Sequence, residues 1–237
     1  MNSTQPNKLI LFDIDGTLLH CGSSARESLG KALTDITGEH IDLTLEDVAG
    51  YTDLGIIKNA LSRAGLLDGD PRAIVEKVGQ RYLEILEVAY PERGDQYLYP
   101  GVPQLLEWLK ERSDVRLALL TGNLMSGAKV KLAPFGIWED FTFGVFGSDS
   151  IDRNQLPKIA WEKAEKTLDE QYRPEQTLIV GDTPRDALCA HVNDAKSLII
   201  CRRPEWRQEI LAQNPIDVFN STEDVDAIYE HITGFYT

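Results

Sequence analysis

Cysteine is scarce in this chain of 237 residues, where only Cys21, Cys189 and Cys201 occur, far apart from one another. An odd number of scattered thiols argues against a disulfide framework and fits a reducing compartment. The sequence also has no apolar run long enough to span a bilayer, and its polar start, residues 1–5, does not resemble a signal peptide. We therefore expect a cytoplasmic protein.

Basic residues are fewer than acidic ones: the chain has 24 Lys and Arg residues and 38 Asp and Glu residues, which give a formal net charge of -14. Nucleic acids and anionic membranes repel such a chain, so neither is expected as a partner. With 42% hydrophobic and 26% charged residues, the composition is that of an ordinary globular protein of one or two domains. We expect a monomer or a weak homodimer.

The most informative stretch is LILFDIDGT, residues 9–17. Its four apolar residues are typical of a strand buried in a parallel sheet, and Gly16 permits a tight turn after it. Asp13 then stands at the carboxyl end of the strand, where open α/β sheets bind ligands. Asp15 is close enough to share one site, and a divalent cation or a shared proton is the usual way to hold two such carboxylates together. The pair suggests a nucleophile and an acid/base.

After this strand the pattern becomes helical. The pattern over residues 23–90 predicts helices and no strands. The helices are expected over 24–36, over 54–61 and from Pro71 to Ala89, and residues 91–95 are expected to form a return linker. This segment predicts a small helical bundle inserted after the first strand.

From residue 99 onward helices and strands alternate, which predicts a Rossmann-like parallel sheet flanked by helices, an α/β fold. The further strands are expected at 115–120, 143–146, 177–180 and 197–200. We expect a core domain over 1–19 and 96–237 and an inserted all-helical cap domain over 20–95. Gly22 and Gly94 are the candidate hinges.

Polar residues follow two of the later strands. Thr121, Gly122 and Asn123 come after one strand, and Asp182 comes after another. Because the carboxyl ends of parallel strands meet at one sheet edge, we expect these groups to lie near the first two carboxylates. Hydroxyl and backbone N–H groups before a helix suit phosphate oxygens, although the same pattern is also that of a helix N-cap.

A cation is expected beside these acids. Lys158 follows Pro157 at a helix start, where the helix dipole disfavours a lysine, so it is predicted to face an anion. Arg153 is the competing candidate, and a solvated surface lysine is the alternative. Asp186 falls one helical turn after Asp182, where it could orient Lys158 or simply stabilise the helix N-terminus.

These segments, in this order, resemble the four motifs of the haloacid dehalogenase-like hydrolases, most of which are Mg-dependent phosphatases. The matching residues are Asp13-Ile14-Asp15-Gly16-Thr17, Thr121, Lys158 and Gly181-Asp182 with Asp186. The resemblance implies that Asp13 becomes an aspartyl-phosphate and that Asp15 protonates the leaving group and then activates water. It also implies that Lys158 neutralises the nucleophile and the phosphate.

The resemblance further implies a Mg²⁺ ion held by the side chains of Asp13 and Asp182 and by the backbone carbonyl of Asp15. Thr121, Gly122 and Asn123 would bind phosphate oxygens. Asp15 itself argues against a dehalogenase, which lacks this second acid.

The helical insert resembles the small cap of phosphoglycolate phosphatase-like members, and Tyr51, Thr52 and Asp53 resemble their substrate-contact loop, although a helix N-cap is the alternative. We therefore expect a phosphatase acting on a small phosphorylated metabolite. The alternatives are a phosphomutase or another phosphotransferase, such as a β-phosphoglucomutase-like enzyme, and a non-enzymatic receiver-like phosphoacceptor domain.

Overall fold

The computed structural model describes residues 7–67 and 69–235, so the polar start at residues 1–5 lies outside the described residues. The strands are β1 (Lys8–Phe12), β2 (Leu19–His20), β3 (Tyr97–Leu98), β4 (Val115–Leu120), β5 (Phe143–Val145), β6 (Thr177–Gly181), β7 (Lys196–Ile200) and β8 (Asp217–Phe219). The α-helices are α1 (Ser24–Thr37), α2 (Leu45–Val48), α3 (Asp53–Arg63), α4 (Pro71–Arg93), α5 (Val102–Lys110), α6 (Met125–Leu132), α7 (Leu156–Leu168), α8 (Pro184–His191), α9 (Arg207–Leu211) and α10 (Val225–Gly234).

Six strands form one sheet in the order β5-β4-β1-β6-β7-β8, and every neighbouring pair is parallel. The chain first builds outward from β1 through β4 to β5, and then returns to the other side of β1 with β6. The carboxyl ends of β4, β1 and β6 therefore flank the point where the strand order reverses, which is the ligand crevice of doubly wound folds. The predicted α/β fold is confirmed.

The sheet is covered on both faces because β1 is apolar at every position after Lys8. Ile10 and Phe12 belong to one hydrophobic cluster, whereas Leu9 and Leu11 belong to another. Alternate residues of a strand point to opposite faces, so one apolar strand supplies both layers of the core. β1 is thereby held centrally, and the residue after it is brought to the middle of the crevice.

The helices α1 to α4 lie between the first strand and the rest of the sheet, as predicted. They bury a hydrophobic cluster that includes Leu33, Ile57, Val78 and Tyr82, together with Leu124 from the segment after β4. The helical insert expected after the first strand is therefore present. No helix of the described residues is both long enough and apolar enough to cross a membrane.

The two connections between cap and core differ from the prediction. Leu19 pairs with Leu98 and His20 with Tyr97, so β2 and β3 form a short antiparallel ribbon. The return linker expected over 91–95 is also wrong in part, because α4 continues through Pro91 to Arg93. Proline near a helix end removes only one hydrogen bond, and the left-handed Gly94 then ends the helix.

Candidate active site

The loop after β1 brings Asp13 to the floor of the crevice. Its N–H donates to the carbonyl of Val180 at 2.9 Å, which continues the β1–β6 pairing by one residue, and the side chain is only 6% exposed. Gly16 has φ of 86°, and a Cβ atom there would lie 2.1 Å from an oxygen of Asp182. Glycine therefore permits both the turn and the close approach of this loop to the end of β6.

A buried arginine joins two of the acids. The Nη2 of Arg153 lies 3.2 Å from Oδ1 of Asp13 and also donates to Asp186. The other oxygen of Asp186 accepts from the hydroxyl and N–H of Thr183, which caps α8. Asp186 is thus fully buried and satisfied by protein donors, and it orients the arginine toward Asp13.

The expectation that Lys158 faces these acids is contradicted by the structure. Leu156, Pro157 and Ala160 form the buried face of α7, and Lys158 projects from the exposed side of the same turn. Its side chain forms no ion pair within the described part of the chain. Arg153, the competing candidate, precedes α7 in a 3₁₀ turn, and there its side chain points inward.

The acids at this edge have the chemistry of a divalent metal site. Oxygens of Asp13, Asp182 and Asp186 all lie within 4.8 Å of one another. Burial raises the pKa of Asp13 to about 7 despite the charge of Arg153, and burial together with Asp186 and Asp13 raises the pKa of Asp182. Because the ionised forms are disfavoured without a further cation, and Asp186 is occupied by protein donors, Asp13 and Asp182 are the side chains that fit a divalent ion.

Asp15 is held differently at its two oxygens. Oδ2 accepts from Nζ of Lys131 and from Nδ2 of Asn123, both at 2.7 Å, whereas Oδ1 is buried and has no partner among the described residues. Burial alone would raise the pKa of Asp15, but the Lys131 charge and these hydrogen bonds lower it below the usual value. The structure therefore brings Asp13 and Asp15 into one site, where the pKa of Asp13 is raised and the pKa of Asp15 is lowered.

The second motif is also placed at this edge. Thr121 follows β4 and is fully buried, and its hydroxyl accepts a hydrogen bond from Nδ2 of Asn123 at 2.8 Å. Asn123, expected to contact substrate, has its side-chain amide committed to Asp15, Thr121 and Lys131. Gly122 approaches the cap so closely that a Cβ atom would lie 2.1 Å from the carbonyl oxygen of Tyr51.

The cavity over these groups has a volume of about 600 Å³ and is lined by both core and cap. From the cap, Tyr51 and Asp53 line it. Thr52 is buried instead, and its hydroxyl donates to the carbonyl of Ile151 at 2.7 Å and caps α3, so the N-cap alternative describes this residue. Of the three predicted contact-loop residues, the structure brings two to the cavity.

Lys131 and Arg202 are two of the cations lining this cavity that the sequence analysis did not single out. Lys131 could have been noticed as a charge on the apolar face of α6, beside Ala128 and Leu132. Arg202 follows β7 without any motif. Its Nε donates to the carbonyl of Gly16 at 2.9 Å, and its guanidinium lies 3.4 Å from the ring centroid of Tyr99. Arg202 has no carboxylate partner in the described residues, in contrast to Lys131 and Arg153.

Comparison with known proteins agrees with this site. Residues 7–192 match the model of the haloacid dehalogenase-like hydrolase family. The phosphoglycolate phosphatase of Aquifex aeolicus is 30% identical over 186 residues, which cover 76% of this chain and 78% of that protein. The chain therefore belongs to the haloacid dehalogenase-like hydrolases.

Solved structures share the fold. A predicted phosphoglycolate phosphatase from Haemophilus somnus superposes with a TM-score of 0.65 at 24% identity, over 93% of this chain and 97% of that one. The β-phosphoglucomutase of Clostridium difficile superposes with a TM-score of 0.69 at 15% identity, over 97% and 98%. Within its family the chain is phosphoglycolate phosphatase-like, and the expectation of a phosphatase enzyme is confirmed.

Proposed function

We propose that the protein is a Mg-dependent phosphatase that hydrolyses a small phosphate monoester through an aspartyl-phosphate on Asp13. The observation that carries this proposal is the setting of the Asp13 carboxylate. It lies on the floor of the cavity, 3.2 Å from the Arg153 guanidinium and close enough to Asp182 to share one cation. A nucleophile, a fixed positive charge and a metal-binding acid are what phosphoryl transfer requires.

In the proposed reaction an Asp13 oxygen bonds to phosphorus while the bond to the leaving-group oxygen breaks, and Asp15 gives that oxygen a proton. Water then attacks the phosphorus, Asp15 takes a proton back, and the Asp13–phosphorus bond breaks to release phosphate. The Asp13 and Asp182 side chains and the Asp15 carbonyl would hold Mg²⁺, which supplies positive charge to the phosphoryl oxygens. Arg153 supplies the fixed charge that was expected from Lys158.

The proposed substrate class is a small phosphorylated metabolite, and 2-phosphoglycolate is the first candidate because several relatives are named phosphoglycolate phosphatase. The cavity offers a reason of its own. Arg202 lies beside the Asp15–Gly16 loop without a carboxylate partner in the described chain, so its cation is available to a second anionic group of the substrate. The formal charge of -14 makes a local cation at the mouth all the more relevant for anion capture.

The test is phosphate release from a panel of small monoesters with Mg²⁺, comparing wild type with Asp13→Asn and with Asp42→Asn as an exposed control outside the cavity. Asp13→Asn should abolish turnover, and Asp42→Asn should not. Acid quench with ³²P-labelled substrate should trap a hydroxylamine-labile phosphoenzyme in wild type only. Near-normal activity of Asp13→Asn on any good substrate would disprove the aspartyl mechanism.

The mutase alternative keeps some weight because a β-phosphoglucomutase has the same fold. Product analysis with a sugar monophosphate separates the two reactions. Free sugar and inorganic phosphate indicate a phosphatase, whereas an isomeric sugar phosphate without phosphate release indicates a mutase. The receiver-like alternative would yield one-time labelling without release, and membership of the hydrolase family speaks against it.

A further inference from the structure

The cap gives the cavity over Asp13 an apolar wall. Side chains of α1, α2 and α3 form this wall, namely Ala25, Leu29, Leu45, Val48 and Ile56. The core supplies the carboxylates and most of the cations that line the same cavity. The proposed phosphoryl chemistry uses those charged groups and leaves the apolar wall without a role.

The short helix α2 is fixed in the orientation that puts its apolar side chains on this wall. The N–H and the hydroxyl of Thr44 both donate to Oδ2 of Asp47, at 2.8 and 2.9 Å, and the Thr44 hydroxyl caps the helix in return. Asp47 also forms an ion pair with Arg63 of α3. The polar side of α2 is therefore bound within the cap, while Leu45 and Val48 line the cavity.

Leu45 is the clearest sign that the wall serves a ligand. It is partly buried, yet it belongs to none of the hydrophobic clusters formed by the described residues, whereas its neighbour Val48 packs against the cap cluster. An apolar side chain on a cavity wall is stabilised when a ligand covers it with an apolar group. The wall at Leu45 and Val48 thus fits a ligand group that is itself apolar.

The direction of phosphoryl transfer determines which part of a substrate meets this wall. In an in-line displacement the leaving group departs on the side of the phosphorus that faces away from the Asp13 oxygen. Asp13 is on the floor of the cavity, so the leaving group extends from the floor into the space that the cap covers. The organic body of the leaving group is therefore what contacts the cap.

A sugar-like leaving group would be poorly accommodated in that space. Its hydroxyls would have to give up water, and the apolar side chains of α2 cannot replace those hydrogen bonds. Two polar groups of the cap that also line the cavity are already engaged. The Asp53 carboxylate accepts from the N–H of Leu124, and the Ser23 hydroxyl accepts from the Arg93 guanidinium.

We infer that the site takes phosphate monoesters of apolar alcohols, with the hydrocarbon body of the alcohol held against Leu45 and Val48. The inference rests on the proposed phosphatase function and names a substrate class for it. At about 600 Å³ the cavity has room for a body larger than that of 2-phosphoglycolate. A substrate as compact as 2-phosphoglycolate would leave this wall uncovered.

The test is a series of n-alkyl phosphates from ethyl to hexyl, hydrolysed with Mg²⁺. Because each methylene is buried against the wall, kcat/KM should rise about two- to fourfold per methylene, and at least about tenfold over the series. Glucose 6-phosphate should fall below hexyl phosphate. The corresponding alkylphosphonates cannot be hydrolysed, and their affinity, measured by calorimetry, should increase by the same factor per methylene.

Variants of similar size show whether the wall itself is responsible. Val48→Thr and Leu45→Asn should each lower the hexyl-to-ethyl ratio of kcat/KM at least about threefold, with ethyl phosphate turnover within about twofold of wild type. Val88→Thr and Leu211→Asn make the same changes at exposed positions outside the cavity and should keep the wild-type ratio. If Val48→Thr does not fold, Leu45→Asn still tests the wall, because Leu45 packs in no hydrophobic cluster of the described residues.

The inference and the proposed function fail in different ways. A flat or falling alkyl series in a protein that hydrolyses ethyl phosphate would overturn the inference and leave the phosphatase intact, as would an unchanged ratio in folded Val48→Thr and Leu45→Asn. If no monoester were hydrolysed while phosphonate affinity still rose with chain length, the proposed function would be wrong and the ligand class right. Without hydrolysis and without that rise, both would be wrong.

Discussion

The carboxylate of Asp53, the first residue of α3 in the cap, accepts a hydrogen bond from the N–H of Leu124 at 2.8 Å. The N–H of Asp53 in turn donates to the carbonyl of Gly122, also at 2.8 Å. One cap residue thus binds both ends of the core loop that carries Asn123. Cap position and active-site geometry are thereby linked through two backbone groups, which a cap movement would have to release.

Asp53→Ala should loosen this contact. We expect a higher KM for small phosphate monoesters and faster hydrogen exchange at the N–H of Leu124, which loses its buried acceptor at a cost of about 1 to 3 kcal/mol. Asp53→Asn keeps an acceptor oxygen and should retain most of the protection. Hydrogen exchange read by mass spectrometry over residues 120–130 checks this, and equal protection in all three proteins would contradict it.

The pH dependence of stability should also depend on Asp53. Burial raises the pKa of Asp53 to about 6 from 3.8, so between these values the folded chain binds more protons than the unfolded chain. Stability therefore falls as pH rises from about 4 to 6 and is flat above that range. Relative to Asp53→Asn, the wild-type free energy of unfolding should drop by roughly 2.5 kcal/mol from pH 4 to pH 7.

Urea titrations of both proteins at several pH values measure this difference. The remaining titratable groups cancel in the comparison, because they are common to the two chains. If the free energy of unfolding of the wild type increased relative to that of Asp53→Asn as pH rises, this would show that Asp53 ionises easily in the fold.

Substitution of Arg153 should lower activity far more than substitution of Lys158, which reverses the sequence-based expectation. Arg153→Ala removes a buried cation that touches Asp13 and Asp186, and it should lower kcat at least about 100-fold. It should also cost about 3 to 5 kcal/mol of stability, so Arg153→Lys is the variant to use if the first does not fold. Lys158→Ala changes an exposed side chain and should stay within roughly twofold of wild type.

That reversal shows where sequence reasoning ended. The helix-dipole argument is local and treats a lysine at a helix start as misplaced, yet an exposed Lys158 is simply solvated. Arg153 points inward because Asp152 caps the 3₁₀ turn and because Asp186 lies 33 residues away to receive it. Nothing in the local pattern reports that partner.

The parts predicted correctly are those with long local signals. β1 and β6 are runs of buried residues followed by an aspartate, and their parallel pairing follows from the helix–strand alternation. The two-residue strands β2 and β3 and the three-residue β8 are too short to show a period. Lys131 lies 116 residues from Asp15, so only the fold shows that they meet.

Substitution of Arg202 should weaken the binding of substrates that carry a second anionic group more than the binding of substrates that lack one. Arg202→Met should raise KM for 2-phosphoglycolate about tenfold or more while changing KM for ethyl phosphate little, since one charged hydrogen bond contributes about 1.5 to 3 kcal/mol. Arg72→Met, at an exposed arginine outside the cavity that pairs with Glu76, is the control. Equal effects on both esters would mean that Arg202 only supports the Gly16 turn through its bond to that carbonyl.

Metal binding should be visible in stability as well as in turnover. Asp182 lies close to the buried Asp13, and burial together with the charges of Asp186 and Asp13 raises the pKa of Asp182, so the fold carries unfavourable charge until a cation arrives. Mg²⁺ at about 100 times its Kd should add about 2.7 kcal/mol, which for a chain of this size raises Tm by about 5 to 10 °C. Thermal unfolding in EDTA and in Mg²⁺ measures this shift directly.

Asp182→Asn separates the metal site from a general salt effect. The amide removes one of the repelling charges, so the variant should melt higher than wild type in EDTA, yet it should lose most of the Mg²⁺-dependent rise. The exposed Asp42→Asn should keep the wild-type melting temperature in EDTA and the full rise with Mg²⁺. An equal rise in all three proteins would place the ion elsewhere, and no rise in wild type would argue against a divalent cation between Asp13 and Asp182.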